Sequence, residues 1–175
     1  GVHLDHDHPL NDEVINMENI KLKGDVNSLL TGNDGDNLIT SLGGDDTIHA
    51  GEGNDEIKTE KGNDIIYAEG GNDYIRSGKG YDIITSGAGN DLIHMHKNHA
   101  TDSLEMTDRI TDFELGFDKI ELEEIPYSDI SIEQGIGEYI NDTIVSTSDG
   151  YLVILENLNL SIISNNDHGS IFEVI

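Results

Sequence analysis

Six aspartates, Asp46, Asp55, Asp64, Asp73, Asp82 and Asp91, stand nine residues apart, and Asn37 holds the same place one step earlier. Two residues before each lies a glycine: Gly35, Gly44, Gly53, Gly62, Gly71, Gly80 and Gly89. Two residues after each lies an isoleucine: Ile39, Ile48, Ile57, Ile66, Ile75, Ile84 and Ile93. Carboxylates at one fixed offset, next to turns rich in backbone carbonyls, make a set of hard oxygen donors that suits Ca²⁺. Thiol chemistry is excluded, since the chain has no cysteine. No nucleophile paired with a base, and no paired acids outside the repeat, suggests catalysis.

The elements that must position these acids follow from the same spacing. A glycine at a fixed place marks a tight turn, because glycine tolerates positive φ. The isoleucine sits in a very short strand, flanked by residues that point the other way. Seven nine-residue units therefore span 32–94, each a loop followed by a strand. Two units make one coil of 18 residues, with strands in two opposite parallel sheets and units 18 apart stacked at about 4.8 Å. The predicted fold is all-β, a right-handed parallel β-roll.

Charge decides whether such a coil stands alone. Thirty-six acidic residues oppose nine basic ones, a formal charge of -27. That balance argues against nucleic acid as a partner, and a compact state needs counter-charge. One isoleucine per nine residues is also a thin core. Within 32–94, thirteen acids face only Lys58, Lys61, Arg76 and Lys79, an excess that about five divalent ions would neutralise. No apolar run is long enough to span a membrane. No secretory signal heads the chain, and a start at Gly1-Val2 is expected of a fragment.

The units resemble the RTX nonapeptide, Gly-Gly-x-Gly-x-Asp-x-hydrophobic-x, a Ca²⁺-binding repeat. The resemblance implies one ion between units 18 apart, held by carbonyls and the acid of both. It implies Leu42, Gly44 and Asp46 with Thr59, Lys61 and Asp64, and Gly51, Gly53 and Asp55 with Ala68, Gly70 and Asp73. It further implies Glu60, Gly62 and Asp64 with Ser77, Lys79 and Asp82, and Glu69, Gly71 and Asp73 with Ser86, Ala88 and Asp91. A fifth set joins Asn33, Gly35 and Asn37 to Ala50, Glu52 and Asp55, and is expected to be the weakest because Asn37 replaces an acid. The leading Gly-Gly is missing from most units, as at Thr59-Glu60, which leaves the loop geometry there open. A metal-free β-solenoid with polar turns is the alternative.

Around the roll, 1–12 is expected to be a disordered arm and 13–31 an N-terminal strand flank, with 23–31 a degenerate first unit. Residues 95–107 read as a connecting loop, because Asp102 falls where the next core residue should be. Residues 108–175 read as a C-terminal β cap, which a solenoid end requires. In that flank Ile110, Phe113, Phe117, Ile120 and Leu122 are the apolar set around Gly116. The segments 108–122 and 142–160 resemble the C-terminal flank of RTX proteases, lipases and alginate-epimerase R-modules. The ending Phe172-Glu173-Val174-Ile175 resembles the terminus of type I secretion substrates; read without the resemblance it is a last edge strand.

Three surface features remain. Ile65, Tyr67 and Ile83 form an outward apolar stripe, expected to lie under the C-terminal flank or the N-terminal strands, with a partner surface as the alternative. Lys58 with Arg76, and Lys61 with Lys79, stack 18 apart into a basic strip; it either neutralises nearby acids or lies along a polyanionic sugar chain. His94, His96 and His99 are spaced to hold Zn²⁺ or simply to end a strand, and the histidines of 3–9 belong to the arm. Taken together, the expected protein is a non-catalytic calcium-binding module, secreted and extracellular, exported by type I machinery. The alternative is an alginate-type polysaccharide-binding module of a secreted enzyme.

Overall fold

The computed structural model describes residues 2–5, 12–14, 18–159 and 171–174. Strands come in quick succession: β1 (Val2–Asp5), β2 (Asp12–Val14), β3 (Asn19–Lys23), β4 (Ser28–Thr31), β5 (Leu38–Thr40) and β6 (Thr47–Glu52). Then follow β7 (Glu56–Lys58), β8 (Ile65–Gly70), β9 (Tyr74–Arg76), β10 (Ile83–Thr85) and β11 (Leu92–His96). The flank adds β12 (Asp108–Ile110), β13 (Lys119–Glu123), β14 (Ser131–Gln134), β15 (Thr143–Thr147), β16 (Gly150–Leu155) and β17 (Phe172–Val174). The only helical pieces among the described residues are four single 3-10 turns, and no helix is long and apolar enough to cross a membrane.

Up to β13, odd and even strands part into two sheets. One runs β1-β3-β5-β7-β9-β11-β13-β17 and the other β14-β15-β16-β12-β10-β8-β6-β4-β2. Within the repeats every pairing is parallel and shifted by 18 residues, as in Ile39 opposite Ile57 and Ile48 opposite Ile66. This is a parallel β-roll. The isoleucines of both sheets are fully buried between them, because each repeat strand turns its second side chain inward.

Glycine is required where coils touch. Gly71 sits at φ 132°, and a Cβ there would lie 1.7 Å from the carbonyl oxygen of Gly53 in the coil before. No L side chain fits.

The flanks continue the roll on both sides. Leu30 is buried opposite Ile48, in the register of a repeat unit. Residues 2–5 lie inside the segment expected to be an arm, yet they pair in parallel with β3, Val2 opposite Ile20. Parallel pairing also carries past residue 94: Ile84 meets Ile110, and Ile93 meets Ile120. Here the step is 26 and 27 residues instead of 18. The strand that Asp102 could not supply comes eight residues later, after a loop holding two 3-10 turns. Beyond it β16 and β17 take the next places, and the antiparallel hairpins of β14, β15 and β16 finish one sheet. Buried Phe113, Leu122, Val145, Leu152 and Phe172 join the isoleucines in one continuous core. Phe117, expected among them, is 58% exposed at the tip of its turn.

Candidate metal centre

The repeated acids point into the roll next to the core. Asp46, Asp55, Asp64, Asp73, Asp82 and Asp91 are all at most 2% exposed. Each uses Oδ1 to accept the backbone N–H of the equivalent residue one coil earlier. The bonds run from Ser28 to Asp46, Asn37 to Asp55, Asp46 to Asp64 and Asp55 to Asp73, then from Asp64 to Asp82 and Asp73 to Asp91, at 2.7–2.9 Å. The neighbouring turn position mirrors this. Asn27, Asp36, Asp45, Asn54, Asn63 and Asn72 each accept the N–H of the residue 18 later, at 2.7–2.9 Å. Successive coils are therefore strapped in both directions along the roll.

The second oxygen of the buried acids has no such partner. Among the described residues, Oδ2 of Asp55, Asp64, Asp73, Asp82 and Asp91 is buried with no hydrogen bond; that of Asp46 accepts the Ser41 hydroxyl. A buried carboxylate oxygen with nothing to bind is costly. Burial accordingly pushes the carboxyls up, Asp46 and Asp91 to about 6 and Asp73 and Asp82 to about 7, with Asp55 and Asp64 also raised. The N–H bonds to Oδ1 pull the other way, and neighbouring aspartates add to the rise. The arrangement calls for a cation.

Asn37 indicates where a cation would lie. Its Nδ2, with two hydrogens to donate, lies within hydrogen-bond distance of four oxygens: the carbonyls of Asn33 at 2.9 Å, of Gly35, and of Ala50 at 3.3 Å, and Asp55 Oδ1 at 2.9 Å. Those are four of the residues expected to surround the fifth ion. A partly positive NH₂ group thus stands among oxygens from two coils, while Asn37 Oδ1 is left buried without a partner. In the other sets the carbonyls of Glu60, Glu69, Lys79 and Ala88 each accept one ladder N–H, which leaves a lone pair on each. Two carboxylates and several carbonyls per cradle fit Ca²⁺.

An RTX calcium-binding nonapeptide repeat family model (4 copies) matches residues 24–57, 49–84 and 67–94. Residues 24–94 belong to the RTX calcium-binding repeats. Among solved structures, the chain is similar to the AlgE6R3 subunit of the Azotobacter vinelandii mannuronan C5-epimerase. The two are 18% identical over 93% of this chain and 85% of that one, with a TM-score of 0.33. No curated protein matches the chain.

Two acids that continue the ladder lie outside the repeats and were not anticipated. Asp108 Oδ1 accepts the Asp82 N–H at 3.0 Å, and Asp118 Oδ1 accepts that of Asp91 at 3.2 Å. Their signal was present as Asp-Arg-Ile and Asp-Lys-Ile, an acid two residues before a core isoleucine as in six of the seven repeats.

The basic strip lines a groove of about 410 Å³ on the roll, formed by Lys58, Lys61, Arg76, Lys79, His96 and His99. Lys58 is paired with Glu56, and Arg76 lies 3.6 Å from Glu123. Lys61 stands opposite Lys79, and among the described residues neither has an ion-pair partner. Burial, helped by the neighbouring His94, His96, Arg76 and Lys79, pushes His99 down to about 4. The three histidines do not converge as zinc would require. His94 Nε2 lies 2.9 Å from Glu123 and His96 Nδ1 accepts the Asn98 N–H. Among the described residues no three His, Asp or Glu side chains gather at one point. The cradles expected between repeat units, two carboxylates with backbone carbonyls, would need no such gathering.

The apolar stripe is not roofed by a flank strand. Ile65 and Ile83 are half-buried and Tyr67 is exposed, stacked on His49 at 4.7 Å. The flanks join the sheets at their edges and so leave this face outward. The chain's last described strand, β17, is an edge strand.

Proposed function

We propose that this chain is a non-catalytic, calcium-dependent folding module of an extracellular protein that leaves the cell by type I secretion. The observation that carries this reading is the row of buried Oδ2 atoms without partners along the roll. Without a cation these carboxylates oppose the compact state; with one, metal binding becomes folding free energy. In a cytosol poor in free Ca²⁺ the acidic chain stays unfolded and passes a narrow exporter. Outside, millimolar Ca²⁺ folds it.

Circular dichroism in EGTA, followed by titration with Ca²⁺, tests the proposal. The expected result is a largely disordered chain in EGTA that gains β-structure cooperatively, with a midpoint around 10⁻⁴–10⁻³ M, the range of extracellular modules. A full β spectrum in EGTA that Ca²⁺ leaves unchanged would falsify it.

A second reading is favoured by the basic groove. On a chain of charge -27, Lys61 and Lys79 side by side with Arg76 suit an anionic polysaccharide such as alginate. Titration with alginate oligomers in Ca²⁺ buffer should then show binding that Lys61→Ala with Lys79→Ala removes. Equal affinity in the double variant would leave the strip as local charge neutralisation.

A further inference from the structure

The ladder of buried acids is longer than the set of repeats, and its two additional members differ. Asp118 is fully buried but both of its oxygens are engaged, Oδ1 by the Asp91 N–H and Oδ2 by the Glu114 N–H at 2.7 Å. It closes its side of the roll with hydrogen bonds alone. Asp108 is 2% exposed, and only its Oδ1 is engaged, by the Asp82 N–H. Its Oδ2 is buried with no partner.

The sets expected within the repeats account for the free oxygens of Asp55, Asp64, Asp73, Asp82 and Asp91. They leave that of Asp108 unexplained. Its surroundings repeat those of the inner cradles. It stands against Asp82, itself fully buried with a free Oδ2, and β12 keeps the parallel register of a repeat strand. The carbonyls of Gly78 and Gly80 occupy the turn places that supply ligands elsewhere, and no hydrogen bond to them is seen among the described residues. On the flank side the turn is different. The Ser103 carbonyl already accepts the Met106 N–H and the Thr107 hydroxyl, so fewer protein oxygens remain for an ion.

We propose that Asp108, from outside the repeats, is a calcium ligand that forms with Asp82 one more site at the junction between roll and flank. This rests on the reading of the repeats as calcium cradles. With fewer protein oxygens the site is weaker than those within the roll and fills last. It makes docking of the C-terminal flank calcium-dependent, where hydrophobic contact alone would not.

The test counts ions on the full chain by calorimetry and native mass spectrometry at saturating Ca²⁺, alongside the folding midpoint. Asp108→Asn keeps an oxygen for the Asp82 N–H and should bind one ion fewer, with its midpoint raised about twofold or more. Asp118→Asn should keep the wild-type count. If Asp108 were only a hydrogen-bond acceptor, Asp108→Asn would keep the full count and its midpoint would stay or fall; that result overturns the inference. Should Asp108→Asn not fold, a second comparison decides. Asp82→Asn touches two sites and should lose two ions, whereas Asp91→Asn touches one and should lose one. Equal losses refute the junction site. Asp64→Asn guards the underlying reading: if even this variant loses no ion, the calcium cradles themselves are wrong.

Discussion

At Asn37 an amide nitrogen lies among the oxygens of Asn33, Gly35, Ala50 and Asp55. The side chain satisfies with hydrogen bonds what its neighbours leave for an ion. Asn37→Asp would replace that donor with a second carboxylate facing the same oxygens. The variant should bind one ion more than wild type by calorimetry. In EGTA it should show no more β signal than wild type, since a buried polar group without a partner costs about 1–3 kcal/mol. An unchanged ion count would mean that the cradle already takes calcium with Asn37 turned to present its oxygen. Glu69 is the complementary case. It occupies φ 78°, where the corresponding Gly51, Gly78 and Gly87 also have positive φ. Glu69→Gly should relieve strain of roughly 1 kcal/mol and lower the Ca²⁺ midpoint slightly, as read by circular dichroism.

At the scale of elements, β12 and β13 cover the last repeat strands. Ile110 and Ile120 are fully buried against Ile84 and Ile93. Ile110→Ala should cost about 2–5 kcal/mol and raise the calcium midpoint, and truncation after Lys97 should raise it further or prevent folding. A truncated chain with the wild-type midpoint would deny the flank any capping role. The seven repeat strands were legible in the sequence because glycine, acid and isoleucine all recur at one period. Ile110 and Ile120 were read as part of a β cap, but that β12 and β13 continue the roll was not, since the step lengthens to 26 and 27 residues and the period is lost even though Asp-x-Ile survives. Phe117 misled for a related reason: an apolar residue beside a turn glycine can belong to either side of the turn. The positions of the acids were readable, but the engagement of one oxygen by backbone and the freedom of the other were not. That division depends on the direction of the N–H one coil away.

Across the whole molecule the acids respond together. In the calcium-free fold Asp73 and Asp82 sit at about 7 and Asp46 and Asp91 at about 6, above the ordinary value near 4. The folded state therefore binds more protons than the unfolded chain between about pH 4 and 7, and its stability falls as pH rises through that window. In EGTA, acidification from pH 7.5 to 5 should increase the β signal. With millimolar Ca²⁺ the sign reverses, because protons compete for the ligands, and the midpoint should rise as pH falls. A β signal in EGTA that is flat across this range would show that the carboxylates ionise without penalty.

The alternation of strands between two sheets gives the chain a parity. Every segment after the roll must enter on the correct side, because β12 belongs beside β10 and β13 beside β11. Length can change only in even steps of the nine-residue unit. Removing 50–67, one whole turn, should leave a shorter protein that folds with calcium and binds about two ions fewer. Removing 59–67 is a smaller excision, yet it sends each later strand to the opposite face and should abolish folding. The roll is a counter that can be changed only two units at a time.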